Sequence, residues 1–146
     1  MRVMVIVKAN PESEAGVLPD PKLFADMGKF NEELIKAGIM LAADGLRPSS
    51  QGKRVKFSGD RRLVTDGPFA ETKELIGGFW IWQVRSMDEA VEWVKRAPFH
   101  ERAEAEIEIR PFHEAGDFEP VLTPEMKQRE DSMRREIERL AKSAKS

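Results

Sequence analysis

The sequence has no cysteine, only two histidines and no long apolar run. The lack of cysteine excludes disulfides, thiolate metal sites and a cysteine nucleophile, and it fits a reducing compartment. No segment approaches the roughly 20 apolar residues that a membrane helix needs. The apolar run from Val3 to Val7 is too short for a signal peptide and lacks a cleavage site. We therefore expect a cytoplasmic protein.

The chain also lacks an excess of charge of either sign. Its 24 basic and 26 acidic residues leave a net charge of -2, so nothing draws the whole protein toward nucleic acid or an anionic membrane. A chain of 146 residues that is 40% hydrophobic and 34% charged is typical of a globular protein, not of a disordered one. We expect neither a nucleic-acid partner nor a membrane partner.

Apolar patterning predicts six strands, two of which form a hairpin around the three-residue loop Ser58-Gly59-Asp60. The strands are Arg2–Lys8, Ile39–Ala43, Lys53–Phe57, Arg61–Thr65, Phe79–Arg85 and Glu104–Arg110. Capping residues predict three helices, which begin at Asp20-Pro21, at Ser86 in a capping box with Glu89, and at Thr123-Pro124. The segments Asn10–Pro19 and Pro111–Leu122 are predicted to be a polar loop and a linker.

Without the hairpin and the last helix, the order is strand, helix, strand, strand, helix, strand, which is the ferredoxin-like pattern of an α+β protein. We predict a ferredoxin-like domain over residues 1–112 and a linker with a C-terminal helical tail over residues 113–146. The first and third main strands are apolar on both faces, whereas two helices cover only one face of such a sheet. We therefore predict a homodimer, packed sheet against sheet as a dimeric α/β barrel.

The stretch Val64–Gly78 reads Val-Thr-Asp-Gly-Pro-Phe-Ala-Glu-Thr-Lys-Glu-Leu-Ile-Gly-Gly. It resembles the DGPF-domain family, also called YCII-related proteins. The resemblance continues through Phe79–Pro98, where a strand, a Met-Asp-Glu-Ala-Val-Glu-Trp helix and a proline follow in order, and it closes at Ile107–Pro111. It covers about residues 1–112.

The resemblance implies a ferredoxin-like dimeric α+β barrel but little chemistry, because most members of the family have no assigned activity. Some lie beside genes for extracytoplasmic-function sigma factors, which implies a regulatory or accessory role. A histidine–aspartate pair has been proposed as a catalytic site in the broader group. The only histidines here, His100 and His113, lie late in the chain, so that pair is not carried over. Asp66 remains as the matching acid.

Asp66 is the candidate catalytic residue, as a base or a ligand-binding carboxylate at the mouth of a pocket. The alternative is an Asx turn, in which Asp66 accepts backbone N–H groups from the residues that follow it. Pockets for small molecules are mainly apolar with a few polar groups, so one indole is also a candidate. The predicted ligand-binding residues are Asp66, Phe69, Glu71, Thr72, Lys73 and Trp80.

No metal or cofactor is predicted, because neither His100 with its neighbouring glutamates nor His113 with Glu114 has the spacing of a metal motif. The basic hairpin is interpreted as a solvated edge that avoids strand pairing, not as a nucleic-acid site. The sequence predicts a small-molecule-binding dimeric barrel and leaves open whether it is an enzyme. The alternatives are a regulatory protein-interaction module, for example with an extracytoplasmic-function sigma factor, and a bare dimer scaffold that binds no ligand.

Overall fold

The computed structural model describes residues 1–99 and 105–145 of the chain. The described residues form six strands and four α-helices, together with 3-10 turns at Ser49–Gln51, Thr72–Glu74 and Ala115–Val121. The strands are β1 (Arg2–Lys8), β2 (Met40–Gly45), β3 (Lys53–Ser58), β4 (Arg61–Asp66), β5 (Ile76–Gln83) and β6 (Ile107–Pro111). The helices are α1 (Pro11–Glu14), α2 (Pro21–Lys36), α3 (Met87–Lys95) and α4 (Pro124–Ser143).

The predicted mixed α+β class is confirmed, because helices accompany an antiparallel sheet. Four strands form this sheet in the order β2-β5-β1-β6, and each neighbouring pair is antiparallel. The remaining two strands, β3 and β4, pair only with each other. The chain divides into two compact units, Met1–Phe112 and His113–Ser146.

The hydrophobic core of the first unit lies on one face of the four-stranded sheet. Helix α2 begins at Pro21, where the Asp20 side chain accepts from the N–H of Leu23 at 2.8 Å. Phe30 packs edge-on against the rings of Trp80 and Trp82, with ring centroids 5.9 and 6.4 Å away. The buried cluster contains Val3, Val5, Phe30, Leu34, Ile39, Trp80, Trp82, Val84 and Ala90.

Two predictions of local structure are wrong. Residues Pro11–Glu14 form a short helix where a polar loop was expected, because the Asn10 side chain accepts from the N–H of Ser13 and caps it. The hairpin loop has two residues, not three, since Gly59 adopts a φ of 58° that closes a tighter turn. Within the predicted linker, which stays a prediction, residues Ala115–Val121 form a 3-10 turn.

Two further predictions are changed in detail. Ser86 caps α3 as expected, but the Glu89 carboxylate accepts from the backbone N–H of Arg85 at 2.8 Å, so the predicted capping box is not formed. The strand predicted over Glu104–Arg110 starts outside the described residues, and its described part runs from Ile107 to Pro111.

The second unit consists of the turn Ala115–Val121 followed by α4. The Thr123 hydroxyl accepts from the N–H of Met126 at 3.2 Å, which confirms the predicted start of the helix. The apolar stripe of α4 is exposed: its residues are Met126, Met133, Ile137 and Leu140. Within residues 1–99 and 105–145, no helix has the length and apolar character to cross a membrane.

Candidate functional site

The loop that follows the hairpin, residues 66–75, is held by a clamp between Glu14 and Ser49. The Glu14 carboxylate accepts from the Ser49 backbone N–H at 3.0 Å and from the Ser49 hydroxyl at 2.5 Å. The Ser49 hydroxyl in turn accepts from the backbone N–H of Phe69 at 3.1 Å. This Glu14–Ser49 clamp therefore connects α1, the turn Ser49–Gln51 and the loop.

Gly67 lies directly on the backbone of the turn that contains Ser49. A Cβ atom at Gly67 would lie 1.7 Å from the Ser49 carbonyl oxygen, far inside van der Waals contact. The Gly67 N–H donates to the carbonyl of Gly52 at 3.0 Å. The glycine of the Asp-Gly-Pro-Phe sequence is thus required by a close approach of two backbone segments.

The Asp66 carboxylate is exposed, and its partner is a lysine across the hairpin. Lys53 Nζ lies 2.5 Å from Asp66 Oδ1, and the two side chains are 67% and 74% exposed. The Asp66 carboxylate therefore forms a surface ion pair and not the Asx turn that the sequence left as the alternative. Such exposed pairs contribute about 0–1 kcal/mol, so the pairing does little to hold the loop.

The structure distributes the other predicted ligand-binding residues over two places. Phe69 is half-buried, and the Arg54 guanidinium lies 3.9 Å above its ring centroid. Glu71, Thr72 and Lys73 follow in the loop, and only Thr72 among these three is half-buried. Residues 66–73 are therefore neighbours on one loop and offer polar side chains of both signs.

Trp80 lies away from that loop set, on the core face of β5. It is 5% exposed, and its indole N–H donates to the side-chain oxygen of Asn31 at 2.9 Å. A role for Trp80 in ligand binding stays a prediction, as do the roles of Asp66 and its neighbours.

Sequence reasoning missed the part played by Glu14 and Ser49. Glu14 was expected in the polar loop Asn10–Pro19, and Ser49 was given no part in the site. One local signal was available for half of the clamp, because Asn10-Pro11 followed by Ser13 is typical of a helix start and would have placed Glu14 on α1. Nothing local links Ser49 to Phe69.

The cations of the basic hairpin are largely engaged within the hairpin and the loop. Arg62 donates to the carbonyl oxygens of Gly59 and Arg61, each at 2.9 Å, and its guanidinium lies 4.4 Å above the ring of Phe57. Every residue of β3 and β4 is exposed. The absence of a nucleic-acid partner stays a prediction.

Among the described residues, no group of three or more histidine, aspartate or glutamate side chains is placed to hold a metal ion. Of the set His100, Glu101, Glu104 and Glu106, only Glu106 lies within the described residues. His113 Nδ1 lies 3.4 Å from the carboxylate of Asp117.

The bonds from Ser49 hold the pKa of the Glu14 carboxyl below its ordinary value, the side-chain bond having the larger effect. Ionised Glu14 therefore stabilises the fold above the unfolded-state pKa of about 4.3, and this contribution is lost as pH falls through the lower folded-state pKa. In Ser49→Ala the pKa of Glu14 returns toward its ordinary value. We expect its free energy of unfolding to fall less steeply than that of the wild type between about pH 5 and pH 3.

Urea unfolding at a series of pH values measures this difference. Ser50→Ala is the matched control, because Ser50 is the exposed neighbour of Ser49 and should leave the wild-type pH dependence intact. Parallel pH curves for Ser49→Ala and the wild type would show that the clamp is not formed in solution.

The fold and the loop define the class of the protein: an α+β domain whose Asp-Gly-Pro-Phe segment is clamped beside an antiparallel sheet. Residues 1–113 match the YCII-related domain, and the chain belongs to this family. The family prediction is thus confirmed, and the match ends before the turn Ala115–Val121 and α4.

The chain is similar to two other proteins. Uncharacterized protein R00369 of Rhizobium meliloti (strain 1021) is 28% identical over 93 residues, which are 64% of this chain and 75% of that protein. The second is the 5-chloro-2-hydroxyhydroquinone dehydrochlorinase TftG of Burkholderia phenoliruptrix AC1100, solved in complex with 2,5-dihydroxybenzoquinone. Its identity is 15% and its TM-score 0.47, with 80% of this chain and 98% of that chain covered. A TM-score this low supports no inference about the present chain.

Proposed function

We propose that the protein is a homodimer of ferredoxin-like domains, joined as a dimeric α/β barrel, that binds a small molecule. The observation that carries the proposal is the second face of the four-stranded sheet. The core residues of α2 and α3 all pack against the face of the sheet that carries Trp80 and Trp82. The second face carries an apolar patch across β1 and β5, with Glu108, Arg110 and Asp44 on the flanking strands, and these helices do not cover it.

The residues of this open face follow from the strand register. Met4 lies opposite Ile81 and Ile6 lies opposite Phe79, so the four side chains form one patch across β1 and β5. Ile6 is 7% exposed and the other three are half-buried. An apolar patch in the middle of a sheet is typical of an interface, and a second copy presents the same patch in a two-fold dimer.

A charge placed in this patch is expected to separate the dimer. In Ile81→Lys an ammonium group would have to be buried between two sheets without a partner, which costs several kcal/mol. Light scattering at micromolar concentration should give the mass of a dimer for the wild type and of a monomer for Ile81→Lys.

The matched control is Ile35→Lys, since Ile35 lies on α2 and is 60% exposed. This variant should stay dimeric. A monomeric wild-type chain would contradict the dimer proposal, and so would an Ile81→Lys variant that is folded and still dimeric.

Residues 66–73 of the loop that follows the hairpin are the proposed ligand site, at the edge of the barrel. Its support is a rigid base with exposed polar groups: the Glu14–Ser49 clamp holds the Phe69 backbone, while the side chains of Asp66, Glu71 and Lys73 are exposed. A loop whose backbone is already held and whose polar side chains are accessible suits ligand binding, because little ordering is required when the ligand arrives. A catalytic role for Asp66 belongs to the same proposal, without an assigned reaction.

Asp66→Asn tests this site, because it keeps the shape of the side chain and removes the charge. In a thermal-shift screen of small carboxylates, amines and phenols, any compound that stabilises the wild type should stabilise Asp66→Asn less. A compound at 100 times its dissociation constant adds about 2.7 kcal/mol of stability, which such a screen detects.

Asp60→Asn is the control, since Asp60 lies in the turn of the same hairpin and is exposed. It should respond to each compound as the wild type does. Asp66→Asn responding like the wild type to every compound would argue against the site.

The apolar stripe of α4 favours a second candidate, a regulatory protein-interaction module. Ile137 and Leu140 are 65% and 53% exposed on a helix whose other residues are mostly charged. Neither the family match nor the relative in Rhizobium meliloti points to a sigma factor. Recovery of such a factor on the immobilised full-length chain would support this candidate, and recovery of no protein partner would count against it.

A further inference from the structure

The hairpin strand β4 has one edge that pairs with β3 and a second edge that pairs with no strand of the described residues. Hydrogen-bonded and non-bonded positions alternate along an antiparallel pair of strands. The Gly67 N–H donates to the Gly52 carbonyl in continuation of this pair, so the odd-numbered residues of β4 are the ones bonded to β3. The backbone N–H and C=O groups of the even-numbered residues therefore point away from β3: these are Arg62, Val64 and Asp66.

The outer edge of β4 is complementary to the same edge of a second copy. When two β4 strands run antiparallel about a two-fold axis at Val64, this residue faces its own equivalent and Arg62 faces Asp66. All the outward backbone groups of these residues then pair across the new ladder, because bonded positions face bonded positions. Opposite charges that face each other directly across an antiparallel pair stabilise it.

The side chains at these positions are accessible to a second copy. Val64 is 62% exposed, and the Asp66 side chain, which Lys53 contacts at Oδ1, is 74% exposed. Arg62 donates to two backbone carbonyls through one terminal nitrogen, which leaves its other terminal nitrogen and Nε for a carboxylate. Val55 lies opposite Val64 on β3 and is 53% exposed, so the pairing would place four valines in one row.

The outer edge of β3 lacks this complementarity. If two β3 strands paired about Val55, Arg54 of one copy would face Lys56 of the other, and like charges directly opposite each other are destabilising. The cations of β3 therefore protect its edge against strand pairing. On β4 an acid and a base lie at equal distances on either side of Val64.

We propose that two copies of the chain join through the outer edges of their β4 strands into a four-stranded ribbon, β3-β4-β4-β3. This interface uses other residues than the proposed sheet-against-sheet dimer, so it joins two such dimers into a tetramer of two-fold symmetry. It also brings Arg62 of the second copy to Asp66, beside the proposed ligand site. With six residues in each β4, the interface is smaller than the standard of about 800 Å² per partner, so we expect association well above micromolar concentration.

Sedimentation equilibrium of the full-length chain from micromolar to millimolar concentration tests the inference. The mass of the wild type should rise from that of a dimer toward that of a tetramer. Val64→Pro should weaken this step at least about tenfold, or 1.4 kcal/mol, because proline has no N–H to donate at the two-fold axis. The hairpin itself should persist, since the Val64 N–H points away from β3 and proline is tolerated at such edge positions.

Val55→Pro is the matched control, because Val55 lies opposite Val64 and its N–H points outward on the other edge of the hairpin. It should associate as the wild type does. A second pair of variants tests the charges. Arg62→Glu would place two acids opposite each other and should weaken association, whereas Arg61→Glu makes the same change of charge opposite Gly67 and should leave association unchanged.

The variant Ile81→Lys separates the two interfaces, since it is expected to lose the sheet-against-sheet contact. It should be a monomer at micromolar concentration and should dimerise through β4 toward millimolar concentration. A wild-type dimer of constant mass up to millimolar concentration, or a Val64→Pro chain that associates as tightly as the wild type, would overturn this inference alone. A wild type that is monomeric at micromolar concentration would overturn the sheet-against-sheet dimer, and its association at millimolar concentration, lost in Val64→Pro, would still support the β4 interface.

Discussion

Replacing Gly67 with alanine is expected to destabilise the protein by about 3 kcal/mol, the upper range for forcing extra atoms into a packed site. The added Cβ would lie 1.7 Å from the carbonyl oxygen of Ser49, 2.6 Å from its carbonyl carbon and 3.2 Å from the nitrogen of Ser50. All three atoms belong to the backbone, so no side chain can rotate away. The loop must leave the turn Ser49–Gln51, and the bond between Ser49 and Phe69 is then lost.

Urea unfolding followed by tryptophan fluorescence measures this loss. Gly28→Ala is the control, because a Cβ at Gly28 meets no atom within 4 Å. Gly28 lies within α2, where alanine is favoured over glycine by about 0.8–1.0 kcal/mol, so this variant should be more stable than the wild type. If Gly67→Ala were as stable as the wild type, the loop would not rest on the Ser49 turn in solution.

Leu34→Ala is expected to lower the free energy of unfolding by about 3 kcal/mol, within the 2–5 kcal/mol found for such core truncations. Leu34 is 0% exposed and is one of the largest fully buried side chains of the described residues. It belongs to the same cluster as Val3, Val5 and Trp82, which joins α2 to the centre of the sheet. The loss combines the apolar transfer of the removed carbons with the cavity that rigid neighbours leave open.

The adjacent residue supplies the control for this second variant. Ile35 is 60% exposed, so Ile35→Ala removes little buried area and replaces a β-branched residue with the best helix former. Its unfolding free energy should stay within about 0.5 kcal/mol of the wild type. Equal losses for Leu34→Ala and Ile35→Ala would mean that α2 does not present the face that the structure assigns to it.

The Gly67 prediction also bears on the meaning of the Asp-Gly-Pro-Phe segment. Gly67 and the backbone of Phe69 hold the loop against the turn that contains Ser49, while the Asp66 side chain is exposed. A structural reason therefore exists for two of the four residues without any ligand. Only the aspartate and the polar residues after Phe69 are left for the ligand site proposed here.

The starts of the long helices could be predicted from the sequence because they depend on near neighbours. Asp20-Pro21 and Thr123-Pro124 each combine a side-chain acceptor with a residue suited to the first helical position. The strands β1 and β5 were recognisable from their apolar residues, which also indicated that both faces are apolar. The hairpin loop was predicted one residue too long, as Ser58-Gly59-Asp60. Composition alone does not determine the backbone angle at Gly59 that closes the two-residue turn.

The sequence by itself determined the α+β class, the family and the faces of the central strands, since each depends on local pattern or on a contiguous motif. Only the tertiary structure decided how the motif is held. Glu14, Ser49 and Phe69 are separated by 35 and 20 positions along the chain, and their hydrogen bonds form only after α1 and the Ser49 turn meet the loop. The same holds for Lys8 and Glu108, which become neighbours because β6 returns to pair with β1.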